Sequence, residues 1–144
     1  MSAFESVLKC AKQWQPKPLP TEFKYRDSFI SHLRERLKEA TIEPEYRHCG
    51  TTADIYAKEK GFFGSSEVFV ELKRNLTSKS QLDRLVGQIE SLQPKKNFII
   101  VVLCGETNPT LVSRLKERYG AGQQFRVIID PYVEIVVKQD ARNG

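Results

Sequence analysis

Apolar residues recur at helical spacing in four stretches of the chain. Residues 3–14 predict a short amphipathic helix, and the proline-rich segment at 16–20 ends it as a stiff connector. Thr21 is placed to cap a second helix that runs to about Ala40, and Thr77 or Ser78 to cap a third. A fourth helix is predicted at 108–119. We therefore divide the chain into an N-terminal helix and connector, residues 1–20, and a single domain, residues 21–144.

The stretches between these helices have the patterns of β-strands. Three strands are predicted in succession, and Gly61 and Gly64 supply the turn between the last two. A continuous apolar run follows the third helix, as expected for a central strand buried on both faces. Two further strands end the chain. The predicted strands are 43–49, 53–59, 67–75, 97–105, 124–130 and 133–138. This order predicts an α/β fold around a mixed sheet.

The second and third strands pair in a definite register if they form an antiparallel hairpin. With Glu59 opposite Ser66, one face of the hairpin is wholly apolar, including Ala53, Ile55 and Ala57. On the other face this register places Asp54 directly opposite Glu71. A shift by two residues would keep the faces and change the partners, so that register remains an alternative.

Asp54, Glu71 and Lys73 form the charged cluster of this hairpin. Like charges on directly opposed strand positions destabilise a sheet unless a cation lies between them. Lys73 supplies part of that charge, and a divalent metal would supply more. Carboxylate and carbonyl oxygens with open water positions suit Mg²⁺. The alternative is a solvated salt-bridge cluster without a chemical role.

Composition is that of a soluble globular protein with a basic excess. The 144 residues are 40% hydrophobic and 28% charged, with a net charge of +5, which favours a polyanionic partner such as nucleic acid. Three widely spaced cysteines without metal-binding spacing indicate reduced thiols and a cytoplasmic protein. We expect no membrane association, because no apolar run is long enough to span a bilayer.

Asp54 followed by Glu71-Leu72-Lys73, in the order helix, three strands, helix, strand, resembles the PD-(D/E)XK nuclease superfamily. The resemblance covers about residues 21–105. It implies a restriction-endonuclease-like αβββαβ core, a central mixed sheet flanked by helices, with extra C-terminal strands. It also implies that Asp54 and Glu71 bind Mg²⁺, with the Leu72 carbonyl as a further ligand, and that Lys73 positions or activates the attacking water.

Two more positions match residues of that superfamily. Many members carry a Glu on the first helix, a position that Glu22 fills here, with Asp27 and Glu35 as rivals. The RecB-like branch carries a Gln on the helix after the third strand, which corresponds to Gln88. That branch has Tyr four residues later, where this chain has Leu92.

The resemblance predicts a Mg²⁺-dependent nuclease that accepts Mn²⁺ as a substitute and acts on DNA rather than RNA. A cluster of basic side chains is predicted to bind the phosphates that flank the scissile one. These are Lys58, Lys60, Arg74, Lys79 and Arg84. A homodimer or a larger protein assembly is left open. The alternative is a catalytically inactive nuclease-fold module that binds nucleic acid or protein in a repair, transposition or defence assembly.

Overall fold

The computed structural model describes residues 2–48, 51–62, 64–92, 98–121 and 132–138. Four helices and five strands occur in these residues. They are α1 (Ala3–Gln13), α2 (Glu22–Arg36), β1 (Thr41–His48), β2 (Thr51–Gly61), β3 (Gly64–Arg74), α3 (Lys79–Ser91), β4 (Phe98–Cys104), α4 (Pro109–Tyr119) and β5 (Tyr132–Lys138). The predicted strand at 124–130 lies outside the described residues.

Side-chain caps fix where the long helices begin. Thr21 Oγ1 accepts the amide of Lys24 at 3.1 Å and starts α2. Ser78 and Gln81 cap α3 reciprocally, each side chain accepting the other residue's amide. The second helix was predicted to reach about Ala40, but α2 ends at Arg36 because Leu37 leaves helical geometry. The turn after it leads directly into β1.

The strands form one mixed sheet in the order β1-β2-β3-β4-β5. The first three strands are antiparallel neighbours, and β3, β4 and β5 run parallel to each other. The predicted hairpin register is confirmed from the Ile55–Val70 pair to the turn, including Tyr56 opposite Phe69 and Glu59 opposite Ser66. The predicted pair of Asp54 with Glu71 is not part of the observed register. The protein is therefore an α/β fold with a five-stranded mixed sheet flanked by helices.

Helices cover both faces of the sheet. Apolar residues of α1 and α2, such as Val7 and Phe29, pack against the Val68, Val70 and Leu72 side of β3. Residues of α3 and α4, such as Leu85, pack on the opposite side. The N-terminal helix α1 thus shares a core with α2, and the sheet is buried on both sides over β4. Charged residues on β2 and β3 must consequently lie near packed apolar surface.

Candidate metal and active site

Strand β2 is irregular at Asp54. Ala53 and Ile55 on either side of it pair with Tyr46 and Pro44 of β1. Between these two pairs, Asp54 and the residue that faces it, Glu45, do not pair. Glu45 has a φ of 51°, in the left-handed region that costs a side-chain-bearing residue free energy. Asp54 therefore lies at a local break in the sheet, a position where strained backbone often accompanies function.

The break reverses the alternation of side chains along β2. We predicted that Ala53, Ile55 and Ala57 share one apolar face. Ile55 and Ala57 do pack toward α1 and α2, but Ala53 packs on the opposite side together with Tyr56 and Phe69. The prediction was wrong for Ala53 because a strict period of two does not continue through an interrupted strand.

The carboxylate of Asp54 lies against the main chain of β3. Its Oδ2 accepts the amide of Leu72 at 2.8 Å, just beyond the Ile55–Val70 pair with which the β2–β3 register begins. Burial raises the pKa of Asp54, the Leu72 amide opposes that shift, and the negative charge of Glu22 adds to it. The Asp54 carboxylate thus accepts the Leu72 amide in place of a backbone carbonyl of the neighbouring strand, and this bond holds the side chain in position.

Glu71 is the buried acid of the site. Its side chain is only 1% exposed, and its Oε1 has no hydrogen-bond partner among the described residues. Burial, followed by the negative charge of Asp54, raises the pKa of Glu71 to about 9. An ionised carboxylate in this position requires a compensating cation.

Asp54 and Glu71 act as an electrostatic pair. Their carboxyl groups are within hydrogen-bonding reach, and the pKa of each is raised above its ordinary value. Two acids so placed do not both ionise freely near neutral pH, and without a metal Glu71, with its pKa raised to about 9, keeps a proton. A divalent cation would replace that proton and allow both groups to be charged.

Glu22 and Lys73 complete the polar part of the site. Glu22 is the first residue of α2, and its Oε2 accepts the amide of Arg74 at 3.2 Å. The same oxygen lies 3.8 Å from the ammonium of Lys73. Glu22 therefore lies beside the acid pair, whereas its rival Glu35 is exposed near the other end of α2.

Arg26 is a site residue that was not predicted. It lies one turn after Glu22 on α2, and its side chain is only 12% exposed. Its positive charge lowers the pKa of Asp54, against the larger effect of burial. The i, i+4 spacing of Glu22 and Arg26 places both on one helix face and was the available sequence signal.

A small cleft opens to the surface at Asp54, whereas Glu71 and Lys73 are not among the residues that line it. Its volume is about 150 Å³, and it is lined by Glu22, Phe23, Arg26, Asp54 and Leu72. Larger cavities of about 290 and 400 Å³ lie elsewhere, beside Phe98 and beside Leu37. The cleft has room for an ion and part of a phosphate group, which suits a polymeric substrate lying across its mouth.

The structure does not bring all predicted residues to this cleft. Gln88 is exposed on α3, and its carbonyl accepts the Ser91 hydroxyl. Lys79 and Arg84 are exposed on the same helix. Arg74 follows Lys73 on β3, but its Nε donates to the Leu19 carbonyl at 3.1 Å.

Lys58 and Lys60 lie on β2 toward the turn of the hairpin. Lys60 pairs with Ser65 next to that turn. Asp54 is several residues away along the same strand. The predicted basic cluster is therefore distributed over the hairpin and α3, and its binding of nucleic acid stays a prediction.

The donor set fits a cation that keeps much of its water. Among the described residues, no group of three or more His, Cys, Asp or Glu side chains is arranged to hold a metal. Mg²⁺ commonly binds proteins through one or two carboxylates and retains several waters. Asp54 and Glu71, with the partnerless Oε1 of Glu71, meet that smaller requirement.

Comparison of the chain with protein-family models, curated protein sequences and solved structures finds no match. Of the helices in the described residues, none combines the length and the apolar character needed to cross a membrane. The function of the chain is consequently inferred from the geometry and chemistry of the site.

Proposed function

We propose that this chain is a Mg²⁺-dependent nuclease with a restriction-endonuclease-like fold, and that it hydrolyses phosphodiester bonds of DNA. The observation that carries the proposal is Glu71, a buried carboxylate with a partnerless oxygen beside a second acid, Asp54. Structural salt bridges place an opposite charge next to a buried acid. Here the charge with the largest effect on the pKa of Glu71 is that of another acid, Asp54, an arrangement typical of a metal site.

The order of the elements supports the proposed fold. A helix, an antiparallel three-stranded unit, a second helix and a parallel strand follow one another from α2 to β4. This is the αβββαβ order of the superfamily that the sequence resembles. Asp54 and Glu71 lie on the central hairpin of that unit, and Glu22 lies at the start of the helix that precedes it.

Each residue of the site has a definite role in the proposed reaction. Asp54, Glu71 and the Leu72 carbonyl would hold Mg²⁺, or Mn²⁺ in its place. The ion, when bound, would acidify a water molecule and stabilise the charge that develops on the phosphate. Lys73 would hold the attacking water or neutralise a phosphate oxygen. Glu22 lines the cleft, and its Oε2 lies 3.8 Å from the ammonium of Lys73.

Cleavage assays with matched variants test this proposal. Wild-type protein is expected to cut DNA with Mg²⁺ or Mn²⁺ and to stop when EDTA is added. Glu71→Gln and Lys73→Met should each lower the rate by roughly 100-fold or more, because each removes charge needed in the transition state. Glu43→Gln, an exposed acid on β1, is the control and should cut like wild type. Equal cutting by all variants would contradict the assignment.

A non-catalytic binding module is the competing function. The same purified proteins separate the two, because such a module would bind DNA in a gel-shift assay without metal-dependent cutting. The acid pair favours the enzyme, since a binding surface gains nothing from burying Glu71 beside Asp54. If the protein cuts RNA and not DNA, the proposed mechanism stands and the proposed substrate is wrong.

A further inference from the structure

Two buried side-chain atoms in the described part of the chain lack a hydrogen-bond partner, and both belong to this site. One is Glu71 Oε1, an acceptor, and the other is Arg26 Nε, a donor. Folded proteins leave few buried polar atoms unpaired, and such atoms often mark a ligand that is not present. The two atoms require opposite partners. Glu71 Oε1 requires a cation or a hydrogen-bond donor, and Arg26 Nε requires an acceptor.

The contacts of Arg26 leave one edge of its guanidinium group available. Nη1 donates to Glu45 at 2.9 Å, and the planar group lies 4.3 Å from the ring centre of Phe23. Nη2 is 3.8 Å from the Asp27 carboxylate, beyond hydrogen-bond distance. Nε and Nη2 together form the edge with two parallel N–H groups, which matches two oxygens of a phosphate.

Arg26 lines the same cleft as Asp54, one of the two acids. Arg26 and Asp54 line the cleft from opposite elements, α2 and β2. The positive charge of Arg26 also lowers the pKa of Asp54, against the larger effect of burial. A phosphate bound to a cation at Asp54 would therefore lie in the cleft that Arg26 lines.

We propose that Arg26 is a substrate-binding residue that holds a phosphate group through its Nε and Nη2 edge, opposite the carboxylates of Asp54 and Glu71. This inference rests on the proposed function, and it names the contact that the substrate makes with α2. Glu45 anchors the guanidinium group through Nη1, and Phe23 fixes its plane. A metal-bound phosphate would then satisfy both partnerless atoms at once.

Binding requires a local movement at the mouth of the cleft. Arg26 Nε is closed to water, so a phosphate oxygen reaches it only when the wall of the cleft shifts. Phe23 is 57% exposed and forms part of that wall. The movement is accordingly assigned to Phe23 and the Arg26 side chain.

Binding measurements without turnover test the role of Arg26. Fluorescence anisotropy with a labelled DNA duplex, in EDTA and over a series of salt concentrations, gives the affinity and its salt slope. Arg26→Gln should weaken binding roughly tenfold or more, as expected for a lost hydrogen bond to a charged group, and flatten the slope by about one. Arg114→Gln, an exposed arginine on α4, makes the same charge change and should leave both quantities unaltered.

Glu45→Gln separates substrate binding from a structural role. It replaces the ion pair with Arg26 by a neutral hydrogen bond and keeps the guanidinium group in place, so DNA binding should persist. If Glu45→Gln loses binding as fully as Arg26→Gln, or if Arg26→Gln binds like wild type, the inference is wrong. A thermal shift with inorganic phosphate, present in wild type and lost in Arg26→Gln, would support it even if no DNA were cut. If neither DNA cutting nor the thermal shift with phosphate depends on Arg26, the proposed nuclease function stands and the proposed contact between Arg26 and phosphate is wrong.

Discussion

Glu71 shows how a single buried residue determines the chemistry of the acid pair. The apolar residues beside it on β3 bury the strand, and its carboxyl group is buried with them. Desolvation and Asp54 together keep this acid protonated well above its ordinary range. The metal-free protein therefore holds a proton where the proposed nuclease holds a cation. The dependence of its stability on pH consequently reports on Glu71.

The stability of the metal-free protein should fall as pH rises. The pKa of Glu71 is about 9 in the folded protein against 4.5 ordinarily. Between these values the folded protein keeps a proton that the unfolded chain has lost. The free energy of unfolding is then highest below the lower value and decreases up to the higher one, by at most about 1.4 kcal/mol per pH unit. Urea denaturation in EDTA across this range measures the slope.

Glu71→Gln is the variant that isolates this effect. Glutamine resembles the protonated acid and cannot ionise, so most of the slope should disappear. Glu43→Gln should keep the wild-type slope, since Glu43 is exposed on β1. Identical pH profiles for wild type and Glu71→Gln would show that Glu71 does not carry the proton.

At the scale of elements, alternation predicted the hairpin but not its break. The apolar side chains of β2 and β3 specify the register because any odd shift would expose them. The break at Asp54 depends on a left-handed Glu45 and on a bond from a carboxylate to the Leu72 amide. Neither feature has a signature in the polarity pattern. Ala53 was consequently placed on the wrong face.

Glycine substitutions test whether the backbone at Glu45 is strained. Glu45→Gly removes the side chain that makes the left-handed backbone unfavourable, which should stabilise the folded protein by about 1 kcal/mol or more. This gain offsets the entropy that glycine loses on folding. The contact of Glu45 with Arg26 adds little stability because the Glu45 side chain is largely exposed. Glu43→Gly, in regular strand, should destabilise by about 0.5–1 kcal/mol. Chemical denaturation should therefore rank Glu45→Gly as the more stable of the two, and the reverse order would refute the strain.

The identity of the site acids could also be read from the sequence, whereas the role of Arg26 could not. Asp54, Glu71 and Lys73 follow from the hairpin register, and the start of α2 follows from its cap at Thr21. The i, i+4 spacing of Glu22 and Arg26 is common on charged helices and does not by itself distinguish a site residue. The significance of Arg26 depends on the Nε atom that is buried without a partner.

At the scale of the whole molecule, two of the predicted phosphate-binding lysines lie at some distance from Asp54. The length of DNA that the protein needs for full affinity should reflect that distance. Lys58 and Lys60 lie four and six residues from Asp54 on β2. At about 3.3 Å per residue this corresponds to about 13 and 20 Å. A duplex lying along the hairpin would meet them roughly four to six base pairs from the scissile phosphate.

A variant with Lys58→Gln and Lys60→Gln should therefore show a length-dependent defect. Its affinity should fall for long duplexes and stay unchanged for duplexes too short to reach the hairpin turn. Lys9→Gln with Lys12→Gln on α1 carries the same charge change and serves as the control. Anisotropy titrations with duplexes of graded length make the comparison. A loss of affinity that is equal at every length would place the DNA elsewhere.

The most direct test of the acid pair is a crystal of the wild-type protein soaked with Mn²⁺ and measured for anomalous scattering. Asp54 and Glu71 are predicted to share one strong anomalous peak, with the Leu72 carbonyl next to it. The peak should be absent from crystals of Glu71→Gln grown and soaked in the same way. A well-ordered cleft with no peak between the two carboxylates at saturating Mn²⁺, or an equal peak in both proteins, would contradict a metal site at Asp54 and Glu71.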